Sequence, residues 1–181
     1  SLIISAQRAC TGTISNPNTG WSTSFSVPAQ GRTEVSIPNY QGECMGNGSI
    51  ENTGIWVTST DTISLYAANY IAYTFDATNV LPTPALGNEY LIQTYPGVFG
   101  GSNIAFVAIQ NNTILDITLS ATAGGYNPGT PFSITLNRGQ AYQLITTSEV
   151  GDLSGTRVVS RDCKMFAVFA GCRCTQVPYG Y

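Results

Sequence analysis

The stretch that decides the fold lies at residues 113–119 and reads Thr-Ile-Leu-Asp-Ile-Thr-Leu. In an extended chain Leu115, Ile117 and Leu119 point to one face, and the residues between them point to the other. An apolar residue at every second position is typical of a half-buried β-strand. The same period recurs at residues 63–67 and 166–170, and helical spacing lasts for no more than one turn. The sequence therefore predicts an all-β fold.

Two parts of the chain resemble each other, which predicts an internal duplication. The aligned pairs are 6–14 with 109–117, 25–27 with 132–134, Val35 and Ile37 with Tyr142 and Leu144, Gly54 with Gly155, Asp61 with Asp162, and 63–67 with 166–170. Their offset varies only between 101 and 107 residues, as loop insertions in a duplicated unit would make it vary. The predicted fold is all-β, with two tandem related β-sandwich-like units of antiparallel hairpins.

Three parts are predicted along the chain. A first β-sandwich-like unit occupies residues 1–72, a connector ending in a strand of the second unit occupies residues 73–101, and the second unit with its tail occupies residues 102–181. The strand that ends the connector, at residues 87–95, has no counterpart in the first copy. Either the first unit is incomplete, or both copies merge into one continuous sandwich without a gap. An incomplete unit would need a strand from residues before Ser1, from the tail or from another molecule.

The connectors between strands contain residues that tight turns favour. Asp and Asn tolerate left-handed backbone and bond their own main chain, which predicts hairpin turns at residues 59–61, 110–112 and 160–162. Residues 82–84, Pro-Thr-Pro, are expected to form an extended connector. Gly139 is expected to supply a positive φ. Asp152 is expected to bond nearby N–H groups while Leu153 closes the end of the sandwich.

Composition argues against two classes of partner. Only 9% of the residues are charged, the net charge is −3, and the seven Lys and Arg residues are scattered. A nucleic-acid groove needs clustered positive charge to displace counterions, so no nucleic-acid partner is expected. No apolar run approaches the roughly 20 residues that cross a bilayer, so no membrane insertion is expected.

Five cysteines are the disulfide candidates, namely Cys10, Cys44, Cys163, Cys172 and Cys174. Their number indicates an oxidising compartment. The duplication places Cys10 on an early strand and Cys44 in a long loop of the same copy, which makes them a candidate pair. Cys163 could bond either Cys172 or Cys174, which would leave one of the five for a partner outside the chain. The connectivity stays open, and the Cys-x-Cys spacing does not match usual zinc ligands.

The chain lacks the residue that enzymes use most often for acid–base work. It contains no histidine, which is the commonest general base and the commonest zinc ligand. Glu149 and Asp152 lie three residues apart on a predicted loop, yet Ca²⁺ usually takes about 6–8 oxygen ligands. No catalytic residue, cofactor or metal site is therefore predicted, and the chain is not expected to be an enzyme.

Aromatic residues and glycosylation patterns mark parts of the surface. The aromatic residues are Tyr66, Tyr70, Tyr73, Phe75, Tyr179 and Tyr181. Such rings can anchor a protein interface or stack on sugar rings, or they can simply cap a sandwich. Asn47 and Asn111 each begin an Asn-x-Ser/Thr pattern, which is an acceptor site where the secretory pathway glycosylates.

Four motifs in order carry a family resemblance. They are Leu-Gly-Asn-Glu-Tyr at 86–90, Leu-Asn-Arg-Gly-Gln-Ala-Tyr-Gln-Leu at 136–144, Asp-Leu-Ser-Gly-Thr at 152–156 and Val-Phe-Ala-Gly at 168–171. From about residue 81 to residue 174 the chain resembles the N-terminal domain of the IgG Fc-binding mucus protein family. The resemblance implies a secreted, multi-copy β module without known enzymatic activity.

Two functions follow from the resemblance and the composition together. The first is an extracellular recognition or adhesion module of a mucus or surface protein, which binds a protein or a glycan. The alternative is a structural subunit that assembles with copies of itself through strand addition and an intermolecular disulfide. The low charge, the odd cysteine and the predicted missing strand all fit the alternative, whereas the resemblance favours the first.

Overall fold

The computed structural model describes residues 1–71, 74–97, 100–173 and 175. Within them it is all-β, with four antiparallel sheets, one short helix and one 3-10 turn, as the alternating pattern predicts. The chain divides into two compact units. Unit 1 comprises residues 1–43 and 53–85, and unit 2 comprises residues 44–52 and 86–181.

The elements follow one another in a simple order. In unit 1 and the segment inserted into it they are β1 (Leu2–Ala6), β2 (Cys10–Asn16), β3 (Trp21–Val27), β4 (Gly31–Val35), α1 (Asn39–Gly42), β5 (Ile50–Glu51), β6 (Trp56–Ser59), β7 (Ile63–Ile71), β8 (Thr74–Asn79) and the 3-10 turn Thr83–Ala85. The remaining strands are β9 (Glu89–Leu91), β10 (Ser102–Ala108), β11 (Thr113–Thr118), β12 (Phe132–Leu136), β13 (Ala141–Ile145), β14 (Arg157–Ser160) and β15 (Phe166–Cys172).

Unit 1 is a sandwich-like pair of sheets. One sheet has the strand order β4-β1-β7-β8 and the other has the order β3-β2-β6. Ile4 from the first sheet and Ile14 from the second are both fully buried in one core, which also contains Phe25, Val27 and Leu65. Apolar residues at every second position of both sheets thus bury a shared face.

Unit 2 repeats three strands of each sheet and adds β9 to one of them; in the other sheet it has β5 at one edge, whereas unit 1 has β8 at the opposite edge. Its sheets have the orders β5-β13-β10-β15 and β12-β11-β14-β9. Phe106 and Phe166 from one sheet and Leu115 and Ile117 from the other are fully buried together. Leu153 is also fully buried in this core, as predicted for the residue that closes the sandwich end.

The strand registers relate the two units residue by residue. Ile4 of β1 pairs with Leu65 of β7, and Phe106 of β10 pairs with Val168 of β15 in the same way. The predicted equivalence of residues 63–67 with 166–170 therefore agrees with the register. At β3 the alignment is wrong by two residues, because Phe25 corresponds to Ile134. A shift of two keeps every side chain on the same face, so the pattern cannot detect it.

The same two-residue error affects β4. Val35 pairs with Leu2, and Leu144 pairs with Ile104, so Val35 corresponds to Leu144 and not to Tyr142. The error has the same cause, since both choices place an inward-facing residue opposite an inward-facing residue.

The three predicted hairpin turns are sheet-to-sheet connections. Residues 59–61 lead from β6 in one sheet of unit 1 to β7 in the other, and residues 160–162 do the same from β14 to β15 in unit 2. Residues 110–112 join β10 and β11, which also lie in different sheets. Turn residues reveal a reversal of the chain but not which sheet the next strand joins. Asn112 does adopt a left-handed φ of 54°, and Gly139 has a φ of 76°.

The two units are divided differently from the predicted boundaries. Residues 74–79 form β8, which pairs with β7 and so belongs to unit 1. Residues 44–52 belong to unit 2, because β5 pairs with β13. The predicted extended connector at residues 82–84 instead enters a 3-10 turn, in which Ala85 N donates to Pro82 O at 2.8 Å. Proline suits this turn because its fixed φ lies in the 3-10 range.

Candidate functional site: an aromatic face on the β7–β8 hairpin

The β7–β8 hairpin extends unit 1 beyond the other strands of its sheet. β7 is nine residues long, but only residues 63–67 pair with β1. From Tyr66 onward β7 pairs with β8, where Tyr70 lies opposite Phe75. A two-stranded ribbon buries little, and its solvent face needs no apolar residues for packing.

Three aromatic side chains occupy one solvent face of this hairpin. Leu65 points into the core and is 8% exposed, so the alternate positions Tyr66 and Tyr70 point outward. Tyr66, Tyr70 and Phe75 are 44%, 79% and 65% exposed. Tyr70 and Phe75 form a cross-strand pair, the arrangement in which side chains of neighbouring strands contact each other most closely.

Among its described residues, the same face carries no charge. Its other members are Ala68 and Ala77, which lie opposite each other, and Asn79, which lies opposite Tyr66. The reverse face holds the polar pair Asn69 and Asp76. The hairpin thus has an apolar aromatic side and a polar side, which we call its aromatic face and its polar face.

Unit 2 does not repeat this surface. Tyr66 and Tyr70 correspond by register to Phe169 and Arg173 of unit 2. A cation therefore stands where the most exposed tyrosine of the aromatic face would be. Of the aromatic residues named from the sequence, Tyr66, Tyr70 and Phe75 are exposed, whereas Tyr73, Tyr179 and Tyr181 lie outside the described residues.

The cysteines do not form the predicted candidate pairs. Cys10 is buried in the core of unit 1 and forms no disulfide, and Cys163 is exposed with a φ of 58° and forms none either. The proposed bonds from Cys10 to Cys44 and from Cys163 to Cys172 are therefore absent from the described residues. Cys174 lies outside them, and any disulfide of the chain stays a prediction.

Asp152 has a structural environment. Its Oδ1 accepts hydrogen bonds from Thr94 Oγ1 at 2.6 Å and from Ser154 N at 2.8 Å. Burial raises the pKa of Asp152, but the hydrogen bonds from Thr94 and Ser154 outweigh it, so the pKa lies below its ordinary value. The prediction that Asp152 bonds nearby N–H groups is confirmed.

No group of three or more metal-ligating side chains occurs among the residues that the structure describes. The shallow cleft of about 500 Å³ at the end of β1 contains a single carboxylate, Asp61, in a salt bridge with Arg8 at 2.8 Å. Its pKa is lowered, chiefly by the Thr62 N–H and then by Arg8. Within this cleft Asp61 lacks the second carboxylate that sugar hydrolysis requires.

The glycosylation patterns fall on ordered segments. Asn47 lies beside β13, where its Oδ1 accepts from Ile145 N at 2.8 Å and its Nδ2 donates to Ile145 O at 3.2 Å. Asn111 is exposed, and its Oδ1 accepts from Arg138 N at 3.0 Å. Both asparagines are exposed, but the Asn47 amide is held against β13 through its oxygen and its nitrogen, whereas the bond given for the Asn111 side chain uses only the oxygen.

The described residues include no helix long and apolar enough to span a membrane. Neither the curated proteins nor the solved structures contain a match to the chain. The family model described as IgGFc binding protein matches residues 76–181, which is more than half of the sequence and includes nearly all of unit 2. The chain therefore belongs to the IgGFc binding protein family.

Proposed function

We propose that this chain is a non-enzymatic, secreted recognition module that binds an extracellular protein through the aromatic face of its β7–β8 hairpin. The observation that carries the proposal is the exposure of Tyr66, Tyr70 and Phe75 on one uncharged face. Aromatic residues are enriched among the residues that dominate binding energy, since they bury a large area at a low cost in side-chain entropy.

Family membership supports a binding role, and the surface supports a protein partner. The family description names a protein ligand, the Fc region of IgG. The aromatic face lies on a two-stranded ribbon and not in a concave pocket, so it suits the surface of another protein more than the enclosure of a small molecule. Exposed contiguous apolar surface of this kind marks interaction sites on soluble proteins.

The test uses IgG Fc as the first probe, because the family description names it. We expect immobilised chain to bind Fc, and we expect the double substitution Tyr70→Ser, Phe75→Ser to weaken binding at least ~10-fold, since hot-spot aromatics each contribute about 2 kcal/mol or more. The matched control is Asn69→Ser, Asp76→Ser on the polar face of the same hairpin, which should leave the affinity within about twofold.

Three results would contradict the proposal. Equal loss of binding in both variants would mean that the hairpin is merely unfolded by substitution. Unchanged binding in the aromatic variant would place the contact elsewhere. If Fc does not bind but a panel of glycans does, with the same dependence on Tyr70 and Phe75, the protein partner is wrong and the aromatic face is a sugar-stacking surface.

A further inference from the structure

We propose that the open edge of β6 in unit 1 binds an extended strand from a separate protein, in the position that β9 occupies in unit 2. The strand that binds has apolar side chains at alternate positions, one aromatic and the next aliphatic. The site is distinct from the aromatic face and does not depend on the function proposed above.

The topology of the two units defines the site. β6 and β14 are equivalent, because Gly12 pairs with Ser59 and Ile14 pairs with Val57 as Leu115 pairs with Ser160 and Ile117 pairs with Val158. In unit 2 the far side of β14 pairs with β9. In unit 1 β6 ends its sheet, and no described strand pairs with its far side.

The backbone of β6 presents hydrogen-bonding groups at this edge. Thr60 N donates to Thr11 O on β2, so Thr60 and every second residue before it face β2. Val57 and Ser59 then face away from β2, because main-chain groups alternate in direction along a strand. Their counterparts in unit 2 are Val158 and Ser160, and Ser160 N donates to Asn88 O, the residue preceding β9, at 2.8 Å.

The apolar surface beside this edge is only partly covered. Val57 and Ile63 are half-buried members of the unit 1 core. Their equivalents in unit 2, Val158 and Phe166, are fully buried. Two apolar side chains at one place are thus partly exposed in unit 1 and fully covered in unit 2.

The segment that begins with β9 shows what covers them. The Tyr90 ring packs edge-on against Phe166 at 5.0 Å, and its hydroxyl donates to Phe166 O at 2.9 Å. Ile92 is 5% exposed in the core, and its N–H donates to Thr156 O at 2.9 Å. Tyr90 and Ile92 lie two residues apart, so an aromatic–x–aliphatic strand fits an edge of this kind.

Two further observations favour a separate protein as the donor. β6 reads Trp-Val-Thr-Ser and so lacks the charges and prolines by which many edge strands prevent pairing. The matching strand of a second copy is already held in its own unit by Tyr90 and Ile92. Strand addition to a free sheet edge is a common mode of peptide recognition.

The test uses a synthetic peptide of residues 86–95, which includes β9, added to the full chain. We expect saturable binding and slower amide hydrogen exchange at Val57 and Ser59. A peptide N-methylated at Tyr90 and Ile92, whose N–H groups face the acceptor strand, should bind at least ~10-fold more weakly. The matched control is N-methylated at Glu89 and Leu91, whose N–H groups face away, and it should bind like the unmodified peptide.

A chain variant localises the site. Val57→Pro removes an N–H that faces away from β2, a position where proline is tolerated in edge strands, and it should abolish the binding. The Tyr70→Ser, Phe75→Ser variant should bind the peptide normally, which separates this proposal from the proposed function.

Four outcomes would overturn the proposal. The first is no binding at millimolar peptide, and the second is equal binding by both methylated peptides. The third is a dimer in which Val57 and Ser59 are already protected without peptide, which would make a second copy the occupant. Equal binding by Val57→Pro would place the peptide elsewhere on the chain and would count against the site in the same way.

Discussion

The two units share one plan and differ in how completely they close. Among the described residues unit 1 has eight buried residues in its core and unit 2 has fourteen. Much of this difference lies at one place: Ile92 and Leu153 close unit 2, and Val158 and Phe166 are buried there while their counterparts in unit 1 are only half-buried. A duplicated unit can thus keep its strand order while one copy leaves an edge open, because the remaining strands already bury most of the shared core.

The units also fill equivalent core positions differently. Gly12 of unit 1 stands where unit 2 has Leu115, and the Phe25 ring lies over it. A Cβ at Gly12 would come within 2.3 Å of that ring. Unit 2 fills the same volume with Leu115 and Ile134 from the facing strands. Unit 1 thus pairs a large residue with a small one where unit 2 pairs two residues of middle size. The total side-chain volume is similar, so packing is kept although the sequence differs.

The largest effect is expected at Leu153, which is fully buried in the core of unit 2. Leu153→Ala should lower the free energy of unfolding of unit 2 by about 2–5 kcal/mol, because it removes core contacts and leaves a cavity. Both tryptophans, Trp21 and Trp56, lie in unit 1. The urea midpoint measured by tryptophan fluorescence therefore reports on unit 1 and should not change. The part of the circular dichroism transition that reports on unit 2 should move to a lower urea concentration.

A matched substitution in the same unit controls this result. Leu91 lies on β9 and is 75% exposed, so Leu91→Ala should change stability by about 0.5 kcal/mol or less. A shift as large as that of Leu153→Ala, or a shift in the fluorescence transition, would show that the two units do not unfold separately.

The next largest effect is the difference in stability cost between the same substitution at two equivalent valines. Val158→Ala should cost roughly 2 kcal/mol, since about two buried methylene equivalents at ~0.8 kcal/mol each are lost beside a cavity term. Val57→Ala should cost less than about 1 kcal/mol, because Val57 is already half-exposed. The circular dichroism transition reports the first and tryptophan fluorescence reports the second. Equal costs would mean that the edge of β6 is covered.

How far the sequence leads depends on the kind of interaction. Alternation at residues 113–119 and 63–67 predicts strands, because it is a local pattern. The open edge can also be predicted, because residues 87–95 have no counterpart when the local patterns of the two copies are compared. The location of β5 cannot be predicted in this way. It depends on contacts such as Gln143 Nε2 donating to Gly46 O and Ile145 N donating to Asn47 Oδ1, which join residues almost a hundred positions apart.

The same distinction between local sequence patterns and contacts in space applies to the candidate site. Tyr66, Tyr70 and Phe75 attract attention in the sequence because they are close together, yet only the register shows that they share a face. The cysteines also attract attention, but their spacing carries no information about distance in space.

The smallest effect is a dependence on pH. The lowered pKa of Asp152 means that its carboxylate stabilises unit 2 above the unfolded pKa of about 3.9, and that this contribution is lost as pH falls through the lower folded value. Asp152→Asn should therefore reduce the stability of unit 2 near pH 7 and flatten its decline below about pH 4. Unit 1, followed by tryptophan fluorescence, should respond to acid equally in both proteins. An unchanged acid profile of unit 2 would refute the role of Asp152.

The most direct test of the difference between the units is amide hydrogen exchange of the chain alone at two matched pairs, Val57 with Val158 and Ser59 with Ser160. The members of each pair are identical residues at equivalent positions, so their intrinsic rates are similar. The open edge predicts fast exchange at Val57 and Ser59 and strong protection at Val158 and Ser160, which face β9. Equal protection within both pairs would contradict the account, because it would mean that a strand already covers the edge of β6.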